Sequence, residues 1–284
     1  MSTVSFKEQR FSGRKLFTAL CVHLVLIFIG LIVAIPLYWS VISSLTTNDL
    51  LFKDLSWIPT ALHFENFSNA LQGAPFGRYF INSLVVAVAV TIITLLTSAL
   101  AGYGFAKFQF PGQKLLFGVV IAALMIPVPA TMIPSFILVK QLGWLNSYAG
   151  LIIPCAVSGF GIFMIRQFML SIPDALFEAA KLDGCNELQV FWFIVAPLAR
   201  ASLVALAVIT FLGSWNNFIW PLLIVQNPNM MTLPLGLIQF KSEYTVNYTQ
   251  LLAASLVIAA PVVILYLLMR RQIISSFASS GVKG

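Results

Sequence analysis

Four residues could meet a polar solute by ring stacking and amide hydrogen bonds: Trp215, Asn216, Asn217 and Trp220, within Trp215-Asn216-Asn217-Phe218-Ile219-Trp220-Pro221. Aromatic rings stack on the C–H faces of sugars, and primary amides both donate to and accept from hydroxyls. A second reading makes the tryptophans interfacial anchors and the amides glue between helices. Asn82 and Ser83 join the candidates on polarity alone. A different chemistry is concentrated in Asp174, Glu178, Asp183 and Glu187, set against the single cation Lys181. That balance suits a basic protein surface, and Ala179, Ala180 and Gly184 allow a partner's backbone to approach closely. An amphipathic helix lying on lipid headgroups is the alternative.

Other chemistries lack their residues. There is no Gly-x-x-x-x-Gly-Lys loop to cradle a nucleotide phosphate, so any ATP is bound elsewhere. His23 and His63 form no zinc-like cluster, and His23, inside an apolar stretch, reads more simply as a neutral imidazole bonded to a neighbouring helix or water. Cys21, Cys155 and Cys185 are too few and too far apart for a disulfide framework or a metal site.

The elements that must position these residues are membrane helices. The chain has 284 residues, 60% hydrophobic and 9% charged, where a soluble domain is about 25% charged. Six stretches of 18 to 26 residues carry no charge: Leu16 to Trp39, Phe80 to Phe105, Leu115 to Val139, Tyr148 to Ile165, Ala201 to Val225 and Leu251 to Met269. A helix crosses the bilayer core in roughly 20 residues, so each is long enough, and none alternates with a period of two. The expectation is an all-α integral membrane protein with six transmembrane helices. Ion-coupled transporters usually place charged residues within their spans, and these stretches have none, although sodium sites built from carbonyls and hydroxyls escape that test. Pro127, Pro129 and Pro134 are expected to break or bend the third span.

With the N-terminus inside, twelve Lys and Arg residues and five acids face the cytoplasm, while four of each lie outside. The whole net charge of +7 therefore sits on the inner face, as the positive-inside bias requires. Both termini are expected to be cytoplasmic, and the charge calls for membrane lipid rather than nucleic acid. The first stretch follows a basic start, as in a secretory signal, but it is too long and ends in bulky Pro36-Leu37-Tyr38-Trp39, so it is expected to remain as an anchor. The organisation read from the sequence is a tail at 1–15, a six-span domain at 16–269 and a tail at 270–284, with one long cytoplasmic loop at 166–200.

That loop reads as two short helices. Ser171-Ile172-Pro173-Asp174 has the form of a capping box, Leu176, Ala179, Ala180 and Asp183 follow at helical spacing, and Gly184 supplies a left-handed stop. Asn186-Glu187-Leu188-Gln189 offers a second cap before the chain re-enters the membrane past Pro197.

Glu178-Ala179-Ala180, Gly184, Ile194 and Pro197 resemble the EAA loop of permeases in bacterial binding-protein-dependent ABC importers: Glu-Ala-Ala, three residues, Gly, nine residues, Ile, any residue, Leu, Pro. Only Ala196 departs, standing where that pattern has Leu. Phe64-Glu65-Asn66-Phe67, Asn82-Ser83-Leu84, Tyr103-Gly104-Phe105-Ala106, Arg166-Gln167-Phe168, Thr232-Leu233-Pro234 and the final Gly281-Val282-Lys283-Gly284 look like MalG-type carbohydrate permeases.

The resemblance implies a type I importer permease in the bacterial inner membrane, forming half of a translocation path for a sugar. It also implies a second homologous permease, two cytoplasmic ATP-binding subunits and an extracytoplasmic solute-binding protein. ATP would be bound by the ATPase subunits, so this chain would be a transport subunit with no cofactor and no catalytic site of its own. Docking would fall to Glu178, Ala179, Ala180, Asp183 and Gly184, coupled through the 171–197 segment. The tail from Ser275 would reach between the ATPase subunits or fray as an ordinary terminus. The outer loops Ser43 to Tyr79 and Gln226 to Gln250 would meet the binding protein, the second through the Asn227-Pro228-Asn229 turn. An importer for glycerol phosphate compounds is the alternative within this class, and an ion-coupled secondary transporter the alternative outside it.

Overall fold

The computed structural model describes residues 13–53, 57–58, 61–240 and 246–281. The tail expected at 1–15 lies almost wholly outside them, as do Lys241 and the last three residues of the C-terminal tail. Three helices are each long and apolar enough to cross a membrane: Phe17–Ser44, Phe76–Lys107 and Tyr248–Leu267. Three bent pairs pass the same test together: Gln113–Leu124 with Val128–Gln141, Tyr148–Cys155 with Gly159–Leu170, and Glu187–Leu198 with Arg200–Trp215. Counting each pair as one span gives six crossings in the order the sequence leads one to expect. The sixth helix continues to Gly281, so the segment from Ser275 to Gly281 is helical.

The third span bends by 103° where Pro127 interrupts it. Pro127 and Pro129 fall before and in the first turn of Val128–Gln141, where a missing N–H leaves no bond unmade. The fourth span was expected to be a single run and instead bends by 42° around Val157. Its loose backbone groups find partners, since Thr94 Oγ1 donates to the Ala156 carbonyl at 3.0 Å and Ser158 Oγ accepts the Gly161 amide at 3.0 Å. Irregular backbone survives in hydrocarbon only when it is satisfied in this way. The fifth span also departs from the expectation of one helix to Val225. It ends at Trp215, the chain opens at Asn216 and Asn217, and a separate short helix runs over Ile219–Ile224.

The chain divides into two compact units, 1–70 with 246–256 and 71–245 with 257–284. In the first, Asn66 Nδ2 donates to the carbonyls of Ser44 and Thr46 at 3.0 and 2.8 Å, satisfying groups left open where the first span ends. Asn48 binds the start of the sixth helix, its Oδ1 accepting the Tyr248 amide at 3.0 Å and its Nδ2 donating to the Val246 carbonyl at 3.4 Å.

In the second unit the second span, Phe76–Lys107, packs along the fourth and fifth. Lipid tails are as apolar as leucine, so helices associate there through close van der Waals approach at small residues. Ser98 and Ala99 are buried on the second span, and a Cβ built on Gly161 of the fourth would overlap Ser98 Oγ. A Cβ on Gly102 would lie 3.0 Å from the Arg166 backbone nitrogen. Ser98 Oγ has no hydrogen-bond partner among the described residues, so its value there is its size.

Gly161→Val should therefore destabilise the purified protein by about 1–3 kcal/mol through overpacking, while Ser98→Ala should be neutral. Thermal melts in detergent measure both, and pairing Gly161→Ala with Ser98→Gly should recover part of the loss. An unchanged melting temperature for Gly161→Val would show that the helices do not meet there.

Candidate functional site

The loop at 166–200 forms the two short helices expected of it, with one change in how the first begins. Asp174–Leu182 starts after Pro173 and has no side-chain cap. Ser171 closes the preceding helix instead, its Oγ donating to the Phe168 carbonyl at 2.6 Å, and the Asp174 carboxylate is taken by Lys107 at 2.7 Å. The reciprocal Ser171/Asp174 box therefore does not form. The helix stops as expected: Gly184 has φ +82°, its N–H reaches the Lys181 carbonyl, and the Cys185 N–H reaches that of Ala180. This is the paired closure that a left-handed glycine permits. The second box does form, with Asn186 Oδ1 accepting the Gln189 amide at 2.9 Å and Gln189 Oε1 accepting the Asn186 amide at 2.8 Å.

Burial sorts the candidate docking residues. Glu178, Ala179, Asp183 and Gly184 are exposed, whereas Ala180 is 5% exposed and packs inward with Phe177. Both belong to a buried cluster with Tyr103, Ile165, Val190 and Leu206 that joins the loop to three spans. The free face of the helix also carries Leu176 and Leu182, the latter 89% exposed. Sequence reasoning passed over Leu182, although it lies three residues after Ala179 and so extends the same face. Two of the four acids are engaged internally. Asp174 pairs with Lys107, and Glu187 pairs with Lys181 at 2.7 Å while accepting from the Tyr103 hydroxyl at 3.0 Å. Glu178 and Asp183 have no such pairing among the described residues and face outward.

Beyond the loop, the helices return into the membrane through a π-helical turn. Pro197 has no N–H to give the Phe193 carbonyl, and over Phe191–Val195 the ladder shifts, the Ala196 N–H reaching back five residues to Phe191. The chain then turns by 76° at Ala199 into the fifth span.

The candidate solute residues separate into two groups. Asn82 is fully buried, its Nδ2 donating to the carbonyls of Asn229 and Met231 at 2.9 and 2.8 Å while its Oδ1 accepts from the Tyr148 hydroxyl at 2.7 Å. Ser83 Oγ accepts the Leu233 amide at 2.7 Å. Both therefore fasten the outer loop to the second span, with their polar atoms committed there. Trp215 is buried and donates to the Ile258 carbonyl at 3.3 Å, and Trp220 is buried and donates to that of Gly150 at 3.0 Å. Asn216 is exposed. Asn217 is half-buried, accepts the Trp220 amide at 3.2 Å, and borders two clefts.

The larger cleft, about 280 Å³, is bordered by Thr94, Cys155, Ser158, Thr210, Ser214 and Asn217. The smaller, about 130 Å³, lies against Val128, Thr131, Ser135 and Trp220. The breaks in the third and fourth spans and the opening after the fifth thus converge on one region. Thr210 and Ser214, one turn apart on the fifth span, were not singled out by sequence reasoning. Hydroxyls spaced by four residues just before the Asn pair were the available signal.

The family model described as "Binding-protein-dependent transport system inner membrane component" matches residues 98–273. The arabinooligosaccharides transport permease AraQ of Bacillus subtilis is 34% identical, covering 90% of this chain and 92% of its own. The diacetylchitobiose uptake permease NgcG of Streptomyces coelicolor is 34% identical over 89% of this chain and 85% of its own. The sn-glycerol-3-phosphate transport permease UgpE of Yersinia pestis is 33% identical over 91% and 95%. A crystal structure of a bacterial ABC transporter involved in the import of the acidic polysaccharide alginate contains a chain of the same fold, with a TM-score of 0.80 at 21% identity over 94% of this chain and 99% of that one. The chain belongs to the family of inner-membrane components of binding-protein-dependent transport systems.

Proposed function

We propose that this chain forms half of the translocation path of an ATP-driven importer for a neutral sugar. It pairs with a second homologous permease, two cytoplasmic ATP-binding subunits and an extracytoplasmic solute-binding protein. The observation that carries the reading is the free face of the Asp174–Leu182 helix, where Leu176, Ala179 and Leu182 present apolar surface between Glu178 and Asp183. Apolar side chains on a water-facing cytoplasmic helix are stabilised by a partner that covers them. The ATPase is that partner and holds the ATP, so this chain needs no cofactor. Glu178, Ala179, Asp183 and Gly184 make the contact, with Ala180 supporting it from beneath.

The solute passes the region where Thr210, Ser214 and Asn217 border the larger cleft. Relatives named for arabinooligosaccharides and diacetylchitobiose support a sugar, and the relative named for sn-glycerol-3-phosphate supports the anionic alternative. The cleft borders carry hydroxyls and an amide but no Lys or Arg, which favours the neutral solute.

Leu182→Glu or Ala179→Glu should weaken retention of the ATPase subunits on the purified permease by roughly thirtyfold, the effect of about 2 kcal/mol at an interface centre. Full retention in both variants would end the docking assignment. In proteoliposomes holding the complete importer, Asn217→Ala should lower sugar uptake roughly fivefold, the loss of one hydrogen bond of about 1 kcal/mol. Uptake of glycerol 3-phosphate in preference to neutral oligosaccharides would overturn the sugar reading.

A further inference from the structure

The docking helix follows the fourth span after only Ser171-Ile172-Pro173, and beyond that short link it reaches the second and fifth spans by two routes. The route along the chain to the fifth span is the compliant one. It passes the left-handed Gly184, the π-helical turn and the 76° change of direction at Ala199. The other route crosses space to the second span and is tighter.

Lys107, in the last turn of the second span, places its Nζ 2.7 Å from Asp174 Oδ1 and 2.8 Å from the Ile172 carbonyl, and 4.4 Å from the Phe177 ring centre. Its side chain is only 10% exposed, so these partners replace most of the water around the ammonium. Tyr103, one turn earlier on the same helix, stacks on Phe177 and donates to Glu187, which in turn holds Lys181. The docking helix is thus tied at its start through Asp174, in its middle through Phe177 and near its end through Lys181. All three ties lead to two residues of one helix.

That helix is unbroken from Phe76 to Lys107. At its far end, about 38 Å from Lys107 at 1.5 Å per residue, Asn82 and Ser83 hold the outer loop at Asn229, Met231 and Leu233.

Resting on the docking reading above, we propose that Lys107 is the positioning residue that makes the docking helix and the second span move together. The second span, rather than the fifth, then carries ATPase-driven displacement to the outer loop. Tyr103 acts with Lys107, fixing the other end of the docking helix to the same rod. A straight hydrogen-bonded helix transmits a push or a tilt along its axis, whereas a chain with a left-handed residue, a π-helical turn and a sharp bend absorbs it.

The test uses the complete importer in proteoliposomes and measures solute moved per ATP hydrolysed. Lys107→Met should lower that ratio at least about fivefold, the small end of ordinary coupling energies, with the ATPase subunits still bound. Lys107→Arg should restore most of it. A purely structural role would lower yield or melting temperature and leave the ratio alone. An unchanged ratio with the ATPase bound overturns the inference while the docking reading stands. Loss of the ATPase from the Lys107→Met complex overturns it too, because Lys107 would then be shaping the docking surface rather than passing on its motion.

A second measurement does not depend on that variant's folding. In protein with Cys21, Cys155 and Cys185 replaced by alanine, Lys107→Cys with Asp174→Cys should be uncoupled, and a short bismaleimide bridge between the two introduced thiols should restore the ratio. A bridge that forms and leaves the ratio low refutes the shared movement.

Discussion

The close approach of the second and fourth spans is the contact on which the rest of this fold depends. In a bilayer the exposed leucines and isoleucines of the first span lose nothing by facing hydrocarbon, so apolar area cannot select one helix arrangement over another. Backbone proximity can. Ser98 and Gly102 on one helix meet Gly161, the Ile165 side chain and the Arg166 backbone nitrogen on the other, and larger side chains at these positions would separate the axes. With those axes fixed, Thr94 comes within reach of the Ala156 carbonyl, and the break in the fourth span becomes tolerable. At one end of the second span the same packing brings Tyr103 over Phe177, and the Asp174–Leu182 helix acquires its seat.

The interruptions in the third, fourth and fifth spans follow a common logic. A freed carbonyl or amide within hydrocarbon is costly unless a side chain or water satisfies it, so breaks collect where polar side chains and space are available. Here Thr94, Ser158 and Asn217 each take one such group, and all three border one cleft. The polarity needed to support the breaks is the same polarity a hydroxyl-rich solute requires. One set of residues can therefore serve both structure and passage, within a subunit of an ABC transporter assembly.

What was legible in the sequence follows from the range of the forces involved. Span number and order depend on runs of some twenty residues, and the stop at Gly184 and the Asn186/Gln189 box depend on neighbours three or four positions apart; all were readable. The Ser171/Asp174 box was not, because a residue sixty-seven positions earlier, Lys107, claims the carboxylate. Ala180 shows the same limit. It shares a motif with Ala179, but the 100° step between consecutive helical residues turns it onto the body of the protein, and only the folded structure shows which side that is. Asn82 and Ser83 were singled out for polarity as solute-path candidates, yet the loop groups their side chains bond lie about 150 residues ahead.

These long-range bonds also explain why a chain with so few charges places several of them together. Lys107, Asp174, Lys181 and Glu187 gather where the second span ends against the loop helices, and at Lys107 the Phe177 ring excludes part of the water, so that its hydrogen bonds are stronger than on an open surface. Tyr103 supplies both a ring and a hydroxyl at that point, stacking on one helix of the loop and bonding the start of the next. A purely apolar seat would hold the loop helices but let them slide. Directional bonds at both ends of Asp174–Leu182 fix its register on the second span, and register is what a helix must keep if movement at one of its faces is to reach the other side of the membrane.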